Sequence, residues 1–426
     1  MKRISKHIYS IIIAILCAFV MESCIYDRGS DCDGIIAGTQ DTNPLLLVLH
    51  ISPVDTRALQ QITEEEKIKT LRIIILNDGK LECNKLIEIN NPGPLAAHNF
   101  QYIFTWPTVA GEKKFYFIAN EESVNKIQYQ SAEELPNIQS RTLSDLLSSY
   151  EPDLEKDTDF EKVMKSIYFS PTYTPDENGD IYLPYTTVYE GFEAKKDQHL
   201  GELKMYLVPV ATKFTFKFIN KRSNDVRINE ISVSSVNTEN FLFANIGDNE
   251  KYKEFEQGKK LYWIDWLAKI AEESHKNEGY YDNENFNNKY GWILDYNMPT
   301  TTQAITAEFV NSGNAKEIKG TGMDLENLAA PGELTLGAYY VPESQNKNPK
   351  EEDVTEQHYD IKLDLQDVTE GEIVPNFNES LTISNLKSLF RNTSVVITIT
   401  MSEGTVEAYA EIADWNKKSA YGWVTD

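Results

Sequence analysis

The residues with the clearest chemical prospects lie at the N-terminus. Cys24 follows Ser23 at the end of an apolar stretch. A small residue just before a cysteine is the pattern at which a lipoprotein signal is removed and the new first residue acylated. Lys2, Arg3 and Lys6 form a positive start, and Ile8 to Met21 form an apolar run. That run is short of the roughly 20 residues that a membrane span needs. Residues 1–23 therefore read as a secretory signal, with Cys24 as the lipidation site and more than one acyl chain as a firm anchor in the outer membrane. The alternative is an ordinary signal peptide that merely precedes a cysteine, since Met21 and Glu22 depart from the strictest lipoprotein pattern.

Other reactive residue types form weaker patterns. The histidines stand at 7, 50, 98, 199, 275 and 358, no two at ligand spacing, and neither His-Glu-x-x-His nor Gly-x-Ser-x-Gly occurs. Asp176, Asn178 and Asp180 alternate like the opening of a calcium loop. The expected glycine is displaced and no Glu closes the loop, so the cluster reads as a turn, with no metal or other cofactor assigned. Trp263, Trp266 and Trp292 could stack on sugars or pack a small local core. A glycosidase would need two carboxylates held across a cleft. Among 66 acidic residues no pair stands out, so the chain is not read as an enzyme.

Charge and cysteine usage narrow the class further. The formal charge of −25 leaves no basic face for nucleic acid. Of the four cysteines, Cys17 leaves with the signal and Cys24 goes to lipid, so only Cys32 and Cys83 could pair. The fold must stand on its cores rather than on disulfides.

Those cores are built from strands. After a polar tether over 25–43 comes Leu45-Leu46-Leu47-Val48-Leu49-His50-Ile51, apolar enough to call for burial on both faces or a sheet partner. Leu71–Leu76 runs into Asn77-Asp78-Gly79-Lys80, a hairpin signal, and Leu81–Ile89 returns with Leu81, Cys83, Lys85, Ile87 and Ile89 expected on one side. Phe100–Trp106 and Lys114–Asn120 are further strands. Leu143, Leu146 and Leu147 recur at helical spacing behind Thr142, a candidate cap with Asp145 three residues on. Phe214, Phe216 and Phe218 alternate with Thr215 and Lys217. Val226, Ile228 and then Ile231, Val233 imply a bulge. Strands also cover 333–341, Tyr359–Leu365, Ser394–Thr400 and Thr405–Ile412. A polar insertion occupies about 245–300, with a helix candidate over 262–275. The expected architecture is all-β: two Greek-key β-sandwich domains, 58–200 and 201–426, with a few short helices in loops.

Taken in order, these segments resemble the fimbrillins of the FimA/Mfa1 type, the fimbrial subunits of Bacteroidales. The likeness rests on Cys24, the tether, Leu45–Ile51, Thr56-Arg57-Ala58, Lys67–Lys80, Val210–Phe218, Tyr-Tyr-Val-Pro-Glu at 339–343, Phe390–Thr393 and Trp415. It spans nearly the whole chain, and the order of the motifs carries it. The long insertion and the short tail beyond Trp415 depart from the pattern.

The resemblance implies transthyretin-like sandwiches in a pilus subunit that contributes to adhesion. It also implies export to the outer membrane as a lipoprotein and a cut between Arg57 and Ala58 by an arginine-specific surface protease. The cut would release the strand that carries Leu45, Leu47, Leu49 and Ile51, so that 24–57 is a removable segment. A strand of another subunit would fill the vacated groove head to tail. The implied donor is the C-terminal strand pair, with Val395, Ile397, Ile399, Val406, Ala408 and Ile412, or the tail after it. The implied partners are other fimbrial subunits, the protease, the membrane lipid and a host or bacterial surface ligand. Two further readings stand beside this one: Arg57 as a solvated linker residue, and the chain as an uncut lipoprotein serving as a pilus anchor or a glycan- or ligand-binding module.

Overall fold

The computed structural model describes residues 45–53, 66–89, 102–124, 127–128, 142–171, 182–196, 202–244, 305–321, 330–345, 359–369, 372–373, 377–383 and 388–414. Cys24, Cys32, Arg57, Ala58, residues 176–180, the 245–300 insertion with Trp263, Trp266 and Trp292, and residues 415–426 lie outside them.

The first half contains β1 (Leu45–Pro53), β2 (Thr70–Asn77), β3 (Lys80–Glu88), β4 (Tyr102–Thr108), β5 (Gly111–Ala119), β6 (Ile127–Gln128), β7 (Asp153–Asp157), β8 (Tyr168–Phe169), β9 (Tyr185–Ala194) and β10 (Glu202–Pro209). Its main sheet runs β4-β1-β10-β9-β5-β2-β3-β7. β10 turns the corner between two layers. Residues 202–207 pair in parallel with β1, whereas Val208 and Pro209 pair with β9. The layer β4-β1-β10 thus faces β9-β5-β2-β3 as a sandwich. Leu47, Leu49, Ile51, Phe104, Met205 and Leu207 meet Leu71, Ile73, Ile75, Phe115, Phe117 and Phe192 between them. The division expected after residue 200 therefore falls too early, because β10 belongs to the N-terminal sheet.

β2 is apolar on both faces and is covered on both. Its outer face, with Ile74 and Leu76, lies under two short helices, α1 (Leu143–Ser148) and α2 (Phe160–Ser166), through Leu143, Leu146, Leu147, Phe160 and Met164. Thr142 caps α1 as expected, its Oγ1 accepting from Asp145 N at 3.1 Å. The helices therefore build a third layer with its own core. Arg72 on β2 enters this layer as a fully partnered charge. Its Nε and Nη2 fork onto Glu121 at 2.5 and 2.7 Å, and Nη1 donates to Asn84 Oδ1 at 2.9 Å.

Asp78 (φ 49°) and Gly79 (φ 77°) form the tight hairpin turn that Asn-Asp-Gly signals. One side-chain expectation fails beyond it. The pairing passes from Ile75–Cys83 to Leu76–Leu81, which leaves Glu82 as the extra residue of a bulge. Leu81 consequently faces the helices, while Cys83, Ile87 and Ile89 face the sandwich core.

The second half contains β11 (Thr212–Asn220), β12 (Asp225–Val236), β13 (Asn240–Phe241), β14 (Ile305–Val310), β15 (Lys316–Ile318), β16 (Gly332–Val341), β17 (Ser344–Gln345), β18 (Tyr359–Thr369), β19 (Glu372–Ile373), β20 (Phe377–Ile383), β21 (Ser388–Leu389), β22 (Thr393–Ser402) and β23 (Thr405–Asp414). A sheet β16-β11-β22-β23 packs on a sheet β14-β12-β18-β19, with β15 beside β12 and β20 beside β18. Phe214, Phe216, Phe218, Val395, Ile397 and Ile399 meet Val226, Ile228, Ile231, Val233, Ile361 and Leu363 in its core. The expected bulge appears on β12 between Ile228 and Glu230. Both halves are β-sandwiches, so the all-β expectation holds.

The halves are fastened by a buried arginine. Arg391, with no solvent exposure, ion-pairs through Nη2 and Nε to Glu343, which is equally buried. Its guanidinium also donates to Phe241 O at 2.6 Å and Leu242 O at 3.1 Å. Leu242 and Phe243 pack in the helical core of the first half, and Leu242 N donates to Ile167 O at 2.9 Å. Removing one member of a buried, hydrogen-bonded pair strands the other charge, which typically costs about 3–5 kcal/mol. Arg391→Met should therefore lower unfolding free energy by about that amount in urea titration, whereas an exposed-site control such as Lys362→Met should stay within about 0.5 kcal/mol of the parent.

Candidate functional site

Three strands make one layer of the N-terminal sandwich, and β1 is the middle one. Leu45–Ile51 pair antiparallel with Tyr102–Thr108, and Val48–Pro53 pair in parallel with Glu202–Leu207. The strand thus completes a ladder on each side. Period-two alternation sends Leu47, Leu49 and Ile51 into the core with no exposure, each burial worth about 1.5–3 kcal/mol before ordering entropy.

Of the two alternatives, burial on both faces or a sheet partner, β1 takes the second. Leu46 is 51% exposed, and Val48 and His50 are half-buried. The reason is architectural: this layer is the outer one of its sandwich, so only its inner side meets a second sheet. On the outer side His50 Nε2 stands 3.1 Å from Glu202 Oε2 on β10, near enough for charge pairing but not aligned as a hydrogen bond.

Glu66, just before β2, is tightly held. Lys213 Nζ on β11 lies 2.6 Å from Glu66 Oε1, and both side chains are almost fully buried. The Tyr340 hydroxyl donates to the same oxygen at 3.0 Å, and the Tyr185 hydroxyl donates to Glu66 O at 3.0 Å. Burial, reinforced by the Glu66 charge, holds the Tyr185 phenol well above its ordinary pKa, so it remains a donor. Asn120 ties the following residues. Its Oδ1 accepts from Lys69 N at 2.8 Å, and its Nδ2 donates to Lys67 O at 2.8 Å and Leu183 O at 2.7 Å. Arg57 and Ala58 lie in the interval between Pro53 and Glu66, two points that the structure fixes separately.

The residues named as a donor strand belong to the C-terminal sheet of their own chain. Val395, Ile397 and Ile399 are core residues of β22, which lies between β11 and β23. Val406 and Ala408 are partly buried on β23, which pairs with β22 alone among the described residues. Ile412 lies on β23 opposite Val395. Sequence reading missed Glu66, Asn120 and Arg391, whose charge or polarity would ordinarily place them at the surface. Among the described residues no cluster of three or more His, Cys, Asp or Glu could hold a metal ion.

The geometry makes the burial of β1 measurable. Leu49→Ala in the chain with β1 in place should lower stability by about 2–5 kcal/mol, while Leu46→Ala should change it by less than about 0.5 kcal/mol in the same denaturant titration.

Comparison with known proteins bears on this part of the molecule. Residues 52–152, about a quarter of the chain, match the family described as Major fimbrial subunit protein (FimA). No curated protein matches. Among solved structures, the chain is similar to the tip fimbrial protein Mfa3 from Porphyromonas gingivalis at 12% identity, with 88% of this chain and 100% of that chain covered and a TM-score of 0.43. It is also similar to a fimbrilin (FimA) from Porphyromonas gingivalis at 10% identity, with 87% and 98% covered and a TM-score of 0.41. A fimbrial assembly protein from Parabacteroides distasonis is similar at 9% identity, with 86% and 95% covered and a TM-score of 0.39. The matched residues take in the end of β1, the Arg57–Ala58 bond and strands β2 to β6.

Proposed function

We propose that the chain is the precursor of a structural subunit of a cell-surface fimbria. In this reading it is exported as a lipoprotein on Cys24 and cut between Arg57 and Ala58 by an arginine-specific surface protease. It then assembles head to tail with other fimbrial subunits and contributes to adhesion. The observation that supports this reading best is the place of β1. A middle strand with a ladder on each side and three core side chains leaves, on departure, two rows of unpaired backbone groups and a bare apolar slot. Such a slot strongly favours a replacement strand.

Cutting at Arg57 does not expel β1; it removes the covalent tie that makes β1 the permanent occupant. Glu66 remains anchored to β11 and β16, so loss of β1 need not unravel β2. The donor belongs to the C-terminal end of the neighbouring subunit. β22 is poorly suited, because it would leave two strand partners and a core. Among the described residues β23 has a single strand partner to give up.

Two experiments test the proposal. Treating purified precursor with an arginine-specific protease should give a new N-terminus at Ala58 and, with time, species of increasing size. Arg57→Ala should stay folded, lipidated and monomeric; its normal entry into filaments would remove the mechanism and favour an uncut pilus anchor or a ligand-binding lipoprotein. Separately, Cys24→Ala should abolish lipid labelling and membrane retention. Unchanged membrane retention would show that Cys24 is not the anchor.

A further inference from the structure

The N-terminal core contains a buried cluster that strand exchange does not use. Lys113 on β5 has no solvent exposure, and its Nζ lies 2.5 Å from Glu82 Oε2. Glu82 is the extra residue of the β3 bulge and is itself buried. The strands run β5, β2, β3 in that order, so the Lys113 side chain reaches Glu82 across β2. The residue of β2 directly opposite Lys113 is Asn77. Opposed residues of neighbouring antiparallel strands share a face. The Asn77 Oδ1 is buried and has no hydrogen-bond partner. Its carboxamide rests against Gly111, where a Cβ would stand 2.3 Å from Oδ1 and 2.9 Å from Cγ. Glycine at 111, at φ +146°, is what leaves the carboxamide its room. Phe192 lies opposite Lys113 on β9, and Phe115 lies two residues along β5; both are buried in the same core.

The amine and the carboxyl are thus in contact, and the carboxamide opposite the amine shares their buried, aromatic face. We propose that Lys113 and Asn77 are a site of intramolecular isopeptide formation, with Glu82 as the acid–base group. Proton transfer within the Lys113–Glu82 pair yields a neutral amine and a carboxylic acid. The acid then supplies the O–H donor that Asn77 Oδ1 lacks, polarising its carbonyl. Lys113 Nζ adds to Asn77 Cγ, the Cγ–Nδ2 bond breaks, and Nδ2 leaves as ammonia with a proton surrendered by the attacking nitrogen through Glu82. One carbon–nitrogen bond forms and one breaks, and no oxidant, reductant or co-reactant is consumed. Burial pushes the Lys113 ammonium below its ordinary pKa against the opposing pull of Glu82 and Asp78, which favours the nucleophilic form. The product would tie β5 to β2 beside the hairpin, and its formation does not depend on any cut at Arg57.

Peptide mapping of the folded full-length chain by mass spectrometry tests this. The expected result is a branched peptide that joins the segment containing Asn77 to the segment containing Lys113, lighter than its two parents by one ammonia. Trypsin should also fail to cut after Lys113. Glu82→Gln, which keeps the shape but removes the acid, should yield the two linear peptides. Recovery of unmodified Asn77 and Lys113 peptides in full from folded wild-type protein would overturn the proposal and leave a buried ion pair only. A branched peptide that persists in Glu82→Gln would overturn the role given to Glu82.

Discussion

Among the described residues β4 and β10 are joined in the sheet through β1, and that constraint orders the whole N-terminal half. In a three-stranded layer the middle strand satisfies both neighbours, so its removal orphans two rows of N–H and C=O groups at once. β10 is the more exposed to this loss. Among the described residues, 202–207 pair in the ladder with β1 alone, and Val208 and Pro209 pair with β9. One polar contact steadies that stretch from the other side, where Tyr206 N donates to the Tyr189 hydroxyl at 2.5 Å. β10 thus depends on β1 for most of its strand pairing.

Around this dependent element the molecule is unusually well tied by buried charge. Glu66 with Lys213, Arg391 with Glu343 and Arg72 with Glu121 each join segments far apart in sequence, and each is almost fully removed from water. Such pairs are costly to desolvate and specify geometry more than they stabilise. One of them, Glu66 with Lys213, bridges the halves of the chain. Asn392 N adds a bond to Ala211 O at 3.0 Å, and Asn240 Nδ2 adds one to Val210 O at 3.0 Å, so the two-residue link between β10 and β11 is clamped from both sides.

Much of this was legible in sequence, and the failures have causes. Phe214, Phe216 and Phe218 read correctly because strict alternation is a local signal. Thr142 read correctly because a cap needs only its own turn. The bulge on β12 showed as a slip in the apolar period at Ile228 and Ile231. Leu81 misread because the bulge at Glu82 leaves no such slip: both neighbours of the extra residue are apolar, so the period looks intact while the strand changes face. Leu46 stays exposed because its strand meets the second of two alternatives, sheet partners rather than burial on both faces, and seven residues cannot announce which layer of a sandwich they will join. Lys113 and Arg391 were invisible as core residues, since a charged side chain gives no sign in sequence that its partner lies tens or hundreds of positions away. Residue 200 looked like a boundary because a turn-rich polar stretch precedes it, yet the strand that follows pairs backward.

That backward pairing has a mechanical side. β10 borders β1, and after a two-residue link the same backbone becomes β11, an inner strand of the C-terminal sheet. A pull on β1 acts along the strand direction, so its ladder bonds share the load in shear rather than opening one after another. The tension then passes from β10 into β11 through covalent bonds, without relying on side-chain friction between the two halves. β11 hands it to β16 and β22 through ladders on both edges. The chain therefore contains a short tensile path from β1 to the centre of its C-terminal sheet.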